Sequence, residues 1–213
     1  LQISFYNIGL YYNMVFTGNW ESDNLIMESY LDKMDIVSGS DRNRMLYINK
    51  KLGGSALFGT TWKSYLTPTR NRPPSEKYSS QFKTKLLVEH PNMEKIFEEF
   101  AGFYFAEFVW TQVQINKNFT APKHKDSANV GESVLCSFGD YIGGKTVVDF
   151  GGDKYAPCKL NPREKPVKFD GSKYPHWVEP FEGKRYSLVF FNNIKNIKKK
   201  LIKIEDLNQI GFK

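Results

Sequence analysis

Two hydrophobic periods divide this chain. From Ser22 the apolar positions Leu25, Ile26, Tyr30, Leu31 and Met34 recur at helical spacing, with Ser22 placed to cap. A second helix is predicted from about Pro91 to Phe103, where Ile96, Phe97, Phe100 and Phe103 form one stripe. Beyond it the period falls to about two. Val113 and Ile115 face one way, and Gln112, Gln114, Asn116 and Asn118 face the other. Runs rich in branched and aromatic residues predict further short strands at Ser133–Phe138, Lys145–Asp149, Val167–Asp170 and Tyr186–Asn192. Turn signals separate them: Gly139-Asp140, Gly143-Gly144, Gly151-Gly152, Asp170-Gly171 and Glu182-Gly183. Many short strands with such punctuation predict a sandwich or barrel.

The remainder is less periodic. Residues 1–18 alternate loosely and predict one or two short strands ending at the turn Thr17-Gly18-Asn19. Met45–Lys51 predicts a strand, after which Gly53-Gly54 opens a small-residue loop leading to Trp62. Leu66–Lys85 is proline-bearing, polar and basic, and predicts a long surface loop of the kind that carries function. The basic closing segment predicts a short helix near Ile204. Neither a domain boundary nor an internal repeat stands out, so residues 1–213 are expected to form one α+β, mainly β domain.

Composition changes this picture little. Thirty Lys and Arg against 23 Asp and Glu give a formal charge of +7, which favours an anionic partner but also follows from a Lys- and Asn-rich background. Cys136 and Cys158 form neither a metal-spacing pattern nor a disulfide framework. The apolar runs fall short of the roughly 20 residues that span a bilayer. The opening LQISFYNIGLYY lacks the charged lead of a signal peptide. A soluble, intracellular protein with no membrane contact and no obligate protein partner is expected.

The stretch Thr111–Gly144 holds the candidate chemistry. On extended backbone, positions i and i+2 point to one side, so His124 and Asp126 can offer an imidazole and a carboxylate to one ion. Histidine is scarce, with three in the chain, and His176 returns on a distant segment as a third ligand. Two histidines and a carboxylate on one face leave open positions opposite, as non-haem Fe(II) requires. Zinc hydrolases use similar ligands, so the set alone does not decide the metal. Arg185 lies nine residues past His176 and begins Arg185-Tyr186-Ser187 at the start of an apolar strand. A guanidinium and a hydroxyl on one strand face make a clamp for a carboxylate.

His124-x-Asp126, then His176, then Arg185-x-Ser187 resembles the Fe(II)- and 2-oxoglutarate-dependent dioxygenases. That resemblance implies a double-stranded β-helix (jelly-roll) core over about residues 108–193, with flanking N-terminal helices. It implies Fe(II) on His124, Asp126 and His176, and 2-oxoglutarate held at its far carboxylate by Arg185 and Ser187, with O₂ as cosubstrate. Asn116 and Asn118, on the strand before the motif, are further residues expected to reach 2-oxoglutarate or the substrate. Within the superfamily, HKDSANVGESVLCSF is similar to the TET/JBP branch, which oxidises 5-methylcytosine or thymine in DNA. In that branch an Asn three positions after the iron-binding Asp contacts the flipped base, and Asn129 stands at that offset from Asp126. The chain lacks the cysteine-rich zinc-binding region of animal TET proteins.

An enzyme acting on a base must extrude it and hold it by edge hydrogen bonds and stacking. Asn129 offers a donor and an acceptor for the edge, and Tyr141, Phe138 and Trp177 are aromatics near enough in sequence to stack. Phosphate contacts are expected from the basic loop 70–85, through Arg70, Arg72, Lys77, Lys83 and Lys85, and from Lys198-Lys199-Lys200. Three functions compete: a DNA base oxygenase, a hydroxylase of a protein side chain such as proline or of a small molecule, and a jelly-roll binding module without chemistry.

Overall fold

The computed structural model of the chain describes residues 15–36, 53–64, 79–127, 129–151 and 156–193. The strand expected at Met45–Lys51, the closing helix near Ile204, the lysines 198–200 and most of the opening strand segment lie outside the described residues. So do Arg70, Arg72 and Lys77 of the basic loop.

Helix α1 is Trp20–Leu31. Asn19, not Ser22, caps it, its side-chain oxygen accepting the Ser22 N–H at 3.1 Å. Two expectations are corrected next. The loop predicted after Gly53-Gly54 is an eleven-residue strand, β1 (Gly54–Ser64). Glycine suits its start because a Cβ on Gly54 would lie 1.8 Å from the Ile36 carbonyl oxygen. The loop predicted over Leu66–Lys85 contains β2 (Ser79–Lys83), paired antiparallel with β1. A partner strand overrode the polar composition in both places. Helix α2 (Lys85–Glu89) and helix α3 (Met93–Tyr104) follow.

The period-two region then forms strands β3 (Gln112–Lys117), β4 (Ser133–Phe138), β5 (Tyr141–Gly143), β6 (Thr146–Val148) and β7 (Cys158–Leu160). β8 (Val167–Phe169), β9 (His176–Val178), β10 (Phe181–Gly183) and β11 (Tyr186–Phe191) complete it. The largest sheet has six antiparallel strands in the order β2-β1-β3-β11-β4-β8. A three-stranded sheet, β7-β6-β9, and a two-stranded antiparallel pair, β10-β5, accompany it.

Register gives the large sheet two unlike faces, because alternate residues share a side. One face carries Phe58, Val113, Ile115, Val134, Cys136, Phe138, Leu188 and Phe190, all buried in the main core with α1 and α3. Aromatic edges join helix to sheet: Phe97 meets Phe58 at 5.1 Å and Phe190 at 5.9 Å, and Phe100 meets Phe138 at 5.7 Å. Such pairs add about 0.5–1.5 kcal/mol each beyond their burial. The helical stripes are narrower than their spacing suggested, since Leu25 is 69% and Phe103 51% exposed. Phe138, considered above as a stacking residue, belongs to this core.

Asp23 ties α1 to α3. It is fully buried, accepts the Thr17 and Gly18 amides at 2.9 Å, and takes the Tyr104 hydroxyl at 2.7 Å. Burial raises its pKa, but these hydrogen bonds outweigh that effect and hold it below the ordinary carboxylate value.

The opposite face is mixed. It carries Gln114 and Asn116 of β3, Ser187, Val189 and Phe191 of β11, and Leu135 of β4, all of which line one cavity.

Candidate metal centre and its cavity

The cavity encloses about 170 Å³. His124, Asp126 and His176 line it at one part and Arg185 and Ser187 at another. The potential ligand atoms of His124, Asp126 and His176 all lie within 4.8 Å of one another.

Strand pairing fixes the two imidazoles. His124 and His176 form an antiparallel bridge with reciprocal backbone hydrogen bonds of 3.0 and 2.9 Å, and their rings lie 4.3 Å apart. Each Nδ1 meets a backbone carbonyl: Pro122 at 2.7 Å for His124 and Tyr174 at 3.1 Å for His176. A carbonyl only accepts, so both Nδ1 atoms carry a proton, and Nε2 is the ring atom each imidazole turns toward Asp126. Burial lowers the pKa of His176 and favours its neutral form.

Asp126 is positioned differently from the simple i, i+2 argument. Only His124 of the pair is bridged, and the Asp126 amide donates instead to the Gly171 carbonyl at 2.9 Å. The two carboxylate oxygens then divide: Oδ1 is 3.6 Å from Nε2 of His124 and Oδ2 is 3.6 Å from Nε2 of His176. Asn129 braces the same carboxylate, its amide Nδ2 donating to Oδ2 at 3.2 Å. Asn129 also lines the cavity. Gly171 is a residue the sequence reading passed over as a turn. A Cβ there would lie 2.9 Å from Oδ2 of Asp126 and 3.1 Å from Cε1 of His176. Its one signal in sequence was Asp170-Gly171, five residues ahead of a ligand.

Arg185 is 1% exposed, and its Nε and Nη2 have no hydrogen-bond partner among the described residues. Burial pulls the guanidinium below its ordinary pKa, with the Tyr141 hydroxyl opposing. Its flat face lies 5.5 Å from each of the Tyr141 and Phe181 rings. Asn118 grips its backbone from both sides: the Asn118 amide donates to the Arg185 carbonyl, and the Arg185 amide donates to Oδ1 of Asn118, each at 2.8 Å. Asn118 adopts φ of 47°, a region Asn tolerates better than most residues. Gly144 leaves room beside the guanidinium, since a Cβ there would come within 3.0 Å of Nε. Thr146, also missed in the sequence, lines the cavity with a buried hydroxyl that has no partner among the described residues.

The remaining sequence expectations separate cleanly. Asn116 lies in the cavity wall, donating from Nδ2 to the Ser187 hydroxyl at 3.2 Å. Tyr141 is buried beneath Arg185, bonded to the Ser137 hydroxyl at 2.6 Å, and is not a cavity-lining residue. Trp177 follows His176 on β9 and therefore faces away from the cavity, under the Lys123 ammonium at 5.1 Å. Lys83 and Lys85 are exposed, and Lys85 sits 3.6 Å from Glu89.

The donor set fits a divalent transition metal, with two imidazoles and one carboxylate on one side and the cavity on the other. The orphaned guanidinium fits an anion. A buried cation with two unmet donors is costly alone and favourable once a carboxylate takes both.

No family model and no curated protein matches the chain. Solved structures do. The chain is similar to a 2OG-Fe(II) oxygenase family oxidoreductase from Burkholderia pseudomallei, at 22% identity over 55% of this chain, with a TM-score of 0.39. It spans 63% of that protein's length. It is similar to NgTET1 in complex with 5mC DNA, at 17% identity over 78% of this chain and 74% of the other, with a TM-score of 0.46. A Pseudomonas putida prolyl-4-hydroxylase matches at 12% identity over 84% of this chain and 88% of its own, with a TM-score of 0.42.

Proposed function

We propose that this chain is an Fe(II)- and 2-oxoglutarate-dependent dioxygenase with a jelly-roll core, acting on the methyl group of a pyrimidine base, 5-methylcytosine or thymine, in DNA. The observation that carries the cofactor reading is the pairing of two unlike demands in one cavity. A two-histidine, one-carboxylate cluster needs a cation, and a fully buried guanidinium with two unmet donors needs an anion. A molecule with a chelating end and a distal carboxylate satisfies both at once.

In this reading His124, Asp126 and His176 hold Fe(II), which with 2-oxoglutarate and O₂ supplies the oxidising power to hydroxylate a C–H bond as succinate and CO₂ form. The protein's own residues bind, orient and exclude. Arg185 and the hydroxyls of Ser187 and Thr146 receive the distal carboxylate, and the Tyr141 and Phe181 rings keep water from the guanidinium. The two Nδ1–H groups hold each imidazole in the tautomer that presents Nε2. Val178, Leu135 and Val189 give the cavity apolar walls, which strengthen each polar contact inside it.

The substrate reading rests on Asn129, an amide beside the metal ligands and in the same cavity, within a text similar to the base oxygenases. The +7 charge suits a polyanion. Two measurements test the proposal. Anaerobic Fe(II) plus 2-oxoglutarate is expected to give a weak visible charge-transfer band in the wild type and none in His124→Ala; no band and no succinate with any substrate removes the oxygenase reading. Incubation with methylated DNA is expected to yield a 5-hydroxymethyl nucleoside by mass spectrometry. Turnover of a proline peptide without that product replaces the DNA substrate with a protein one.

A further inference from the structure

Four small polar residues cross the large sheet in one row. Register sets Ser55 of β1 opposite Asn116 of β3, Asn116 opposite Ser187 of β11, and Ser187 opposite Ser137 of β4. Paired residues share a face, so this row runs along the side that carries the cavity. Ser55 is 2% exposed and does not line the cavity itself.

The hydrogen bonds along the row have one direction. Gln114 donates from Nε2 to the Ser55 hydroxyl at 3.1 Å. Ser55 donates to Oδ1 of Asn116 at 2.6 Å. Asn116 donates from Nδ2 to the Ser187 hydroxyl at 3.2 Å. The amide passes this direction on at the centre, because its oxygen only accepts and its nitrogen only donates. Ser187 thereby accepts from Asn116 at one lone pair, and among the described residues its own proton meets no acceptor.

We infer that Ser55 is a positioning residue that acts through Asn116 to hold the Ser187 hydroxyl as a donor into the cavity, beside the unmet donors of Arg185. A cavity end so prepared takes an acceptor-only anion, a carboxylate, and disfavours an amide or an alcohol of the same shape. This rests on reading the Arg185 end as the seat of the 2-oxoglutarate carboxylate. Without the Ser55 proton, the Asn116 amide is free to turn over. Its Oδ1 then draws the Ser187 proton away from the ligand.

The test is a double-mutant cycle read by calorimetric titration of 2-oxoglutarate into protein loaded with Mn(II), which binds without turnover. Ser55→Ala is expected to weaken 2-oxoglutarate about two- to tenfold, the range of one hydrogen bond, and to leave Mn(II) affinity unchanged. In a Ser187→Ala background the same substitution is expected to cost nothing more. Asn116→Asp, whose carboxylate accepts from both serines, is expected to weaken 2-oxoglutarate at least about tenfold. Full affinity in Ser55→Ala, or costs that add in the double variant, overturns the inference and leaves the cofactor reading standing. Failure of the wild-type protein to bind 2-oxoglutarate removes both.

Discussion

The two faces of the six-stranded sheet use the same strands for opposite ends. Toward the helices the central strands carry a buried apolar row, from Phe58 through Ile115 and Leu188 to Phe138. Toward the cavity the same strands carry Gln114, Asn116, Ser187 and a neighbouring Arg185, whose Nε and Nη2 meet no partner among the described residues. One face therefore supplies folding free energy, and the other holds polar groups beside a cavity in which Arg185 and Thr146 keep atoms without a partner among the described residues. A β-strand permits this because neighbouring residues point to opposite sides, so stability and chemistry interleave without sharing positions.

The contrast breaks most severely on the helix side. Phe100→Ala removes a fully buried ring that packs on Phe16, Tyr104, Phe105 and Phe138. About 3–5 kcal/mol of stability is expected to be lost in urea unfolding. Folded protein is expected to keep its affinity for Mn(II) and 2-oxoglutarate.

On the cavity side the signs reverse. Arg185→Met is expected to cost about 2–5 kcal/mol of 2-oxoglutarate binding, at least about thirtyfold by titration. Its melting temperature without ligand is expected not to fall, because the substitution removes an uncompensated buried charge. A large drop in melting temperature would mean that Arg185 serves the fold.

Asn129→Ala probes the brace on Asp126. Loss of the 3.2 Å hydrogen bond to the Asp126 carboxylate, the proposed metal ligand, is expected to weaken Mn(II) about 10–100-fold, with melting of the metal-free protein unchanged. Unaltered metal affinity would leave Asn129 a substrate contact alone.

The smallest effect is a pH dependence on the helix side. Hydrogen bonds from Tyr104, Thr17 and Gly18 outweigh burial and depress the pKa of Asp23 below its ordinary 3.8. A depressed carboxylate contributes stability that is present above the unfolded value and lost as pH falls through the folded one. The melting temperature is expected to decline more steeply below about pH 4 in the wild type than in Asp23→Asn. Parallel declines would show that Asp23 adds nothing to acid stability.

Much of this was legible in the chain itself. Alternation at Val113–Asn116 assigned the two sides of β3, and the apolar runs at Ser133–Phe138 and Tyr186–Phe191 fixed the central strands. Scarce histidine and the His124-x-Asp126 spacing named the cluster. β1 and β2 were read as loops because Gly, Ser and Lys disfavour strands locally, and only their pairing with β3 and each other makes them extended. Tyr141 was near the motif in sequence, but its turn carries it under Arg185.

What the sequence determined by itself was period, and with it which residues share a face and which types of ligand are present. Those depend on backbone geometry within a few residues. What only the tertiary structure decided was juxtaposition: Gly171 under Asp126, Asn118 around Arg185, and Ser55 in line with Asn116 and Ser187. Each of the last two joins segments more than sixty residues apart, and the first joins two more than forty apart. Such pairs are set by strand register across the sheets, a property of the packed chain as a whole.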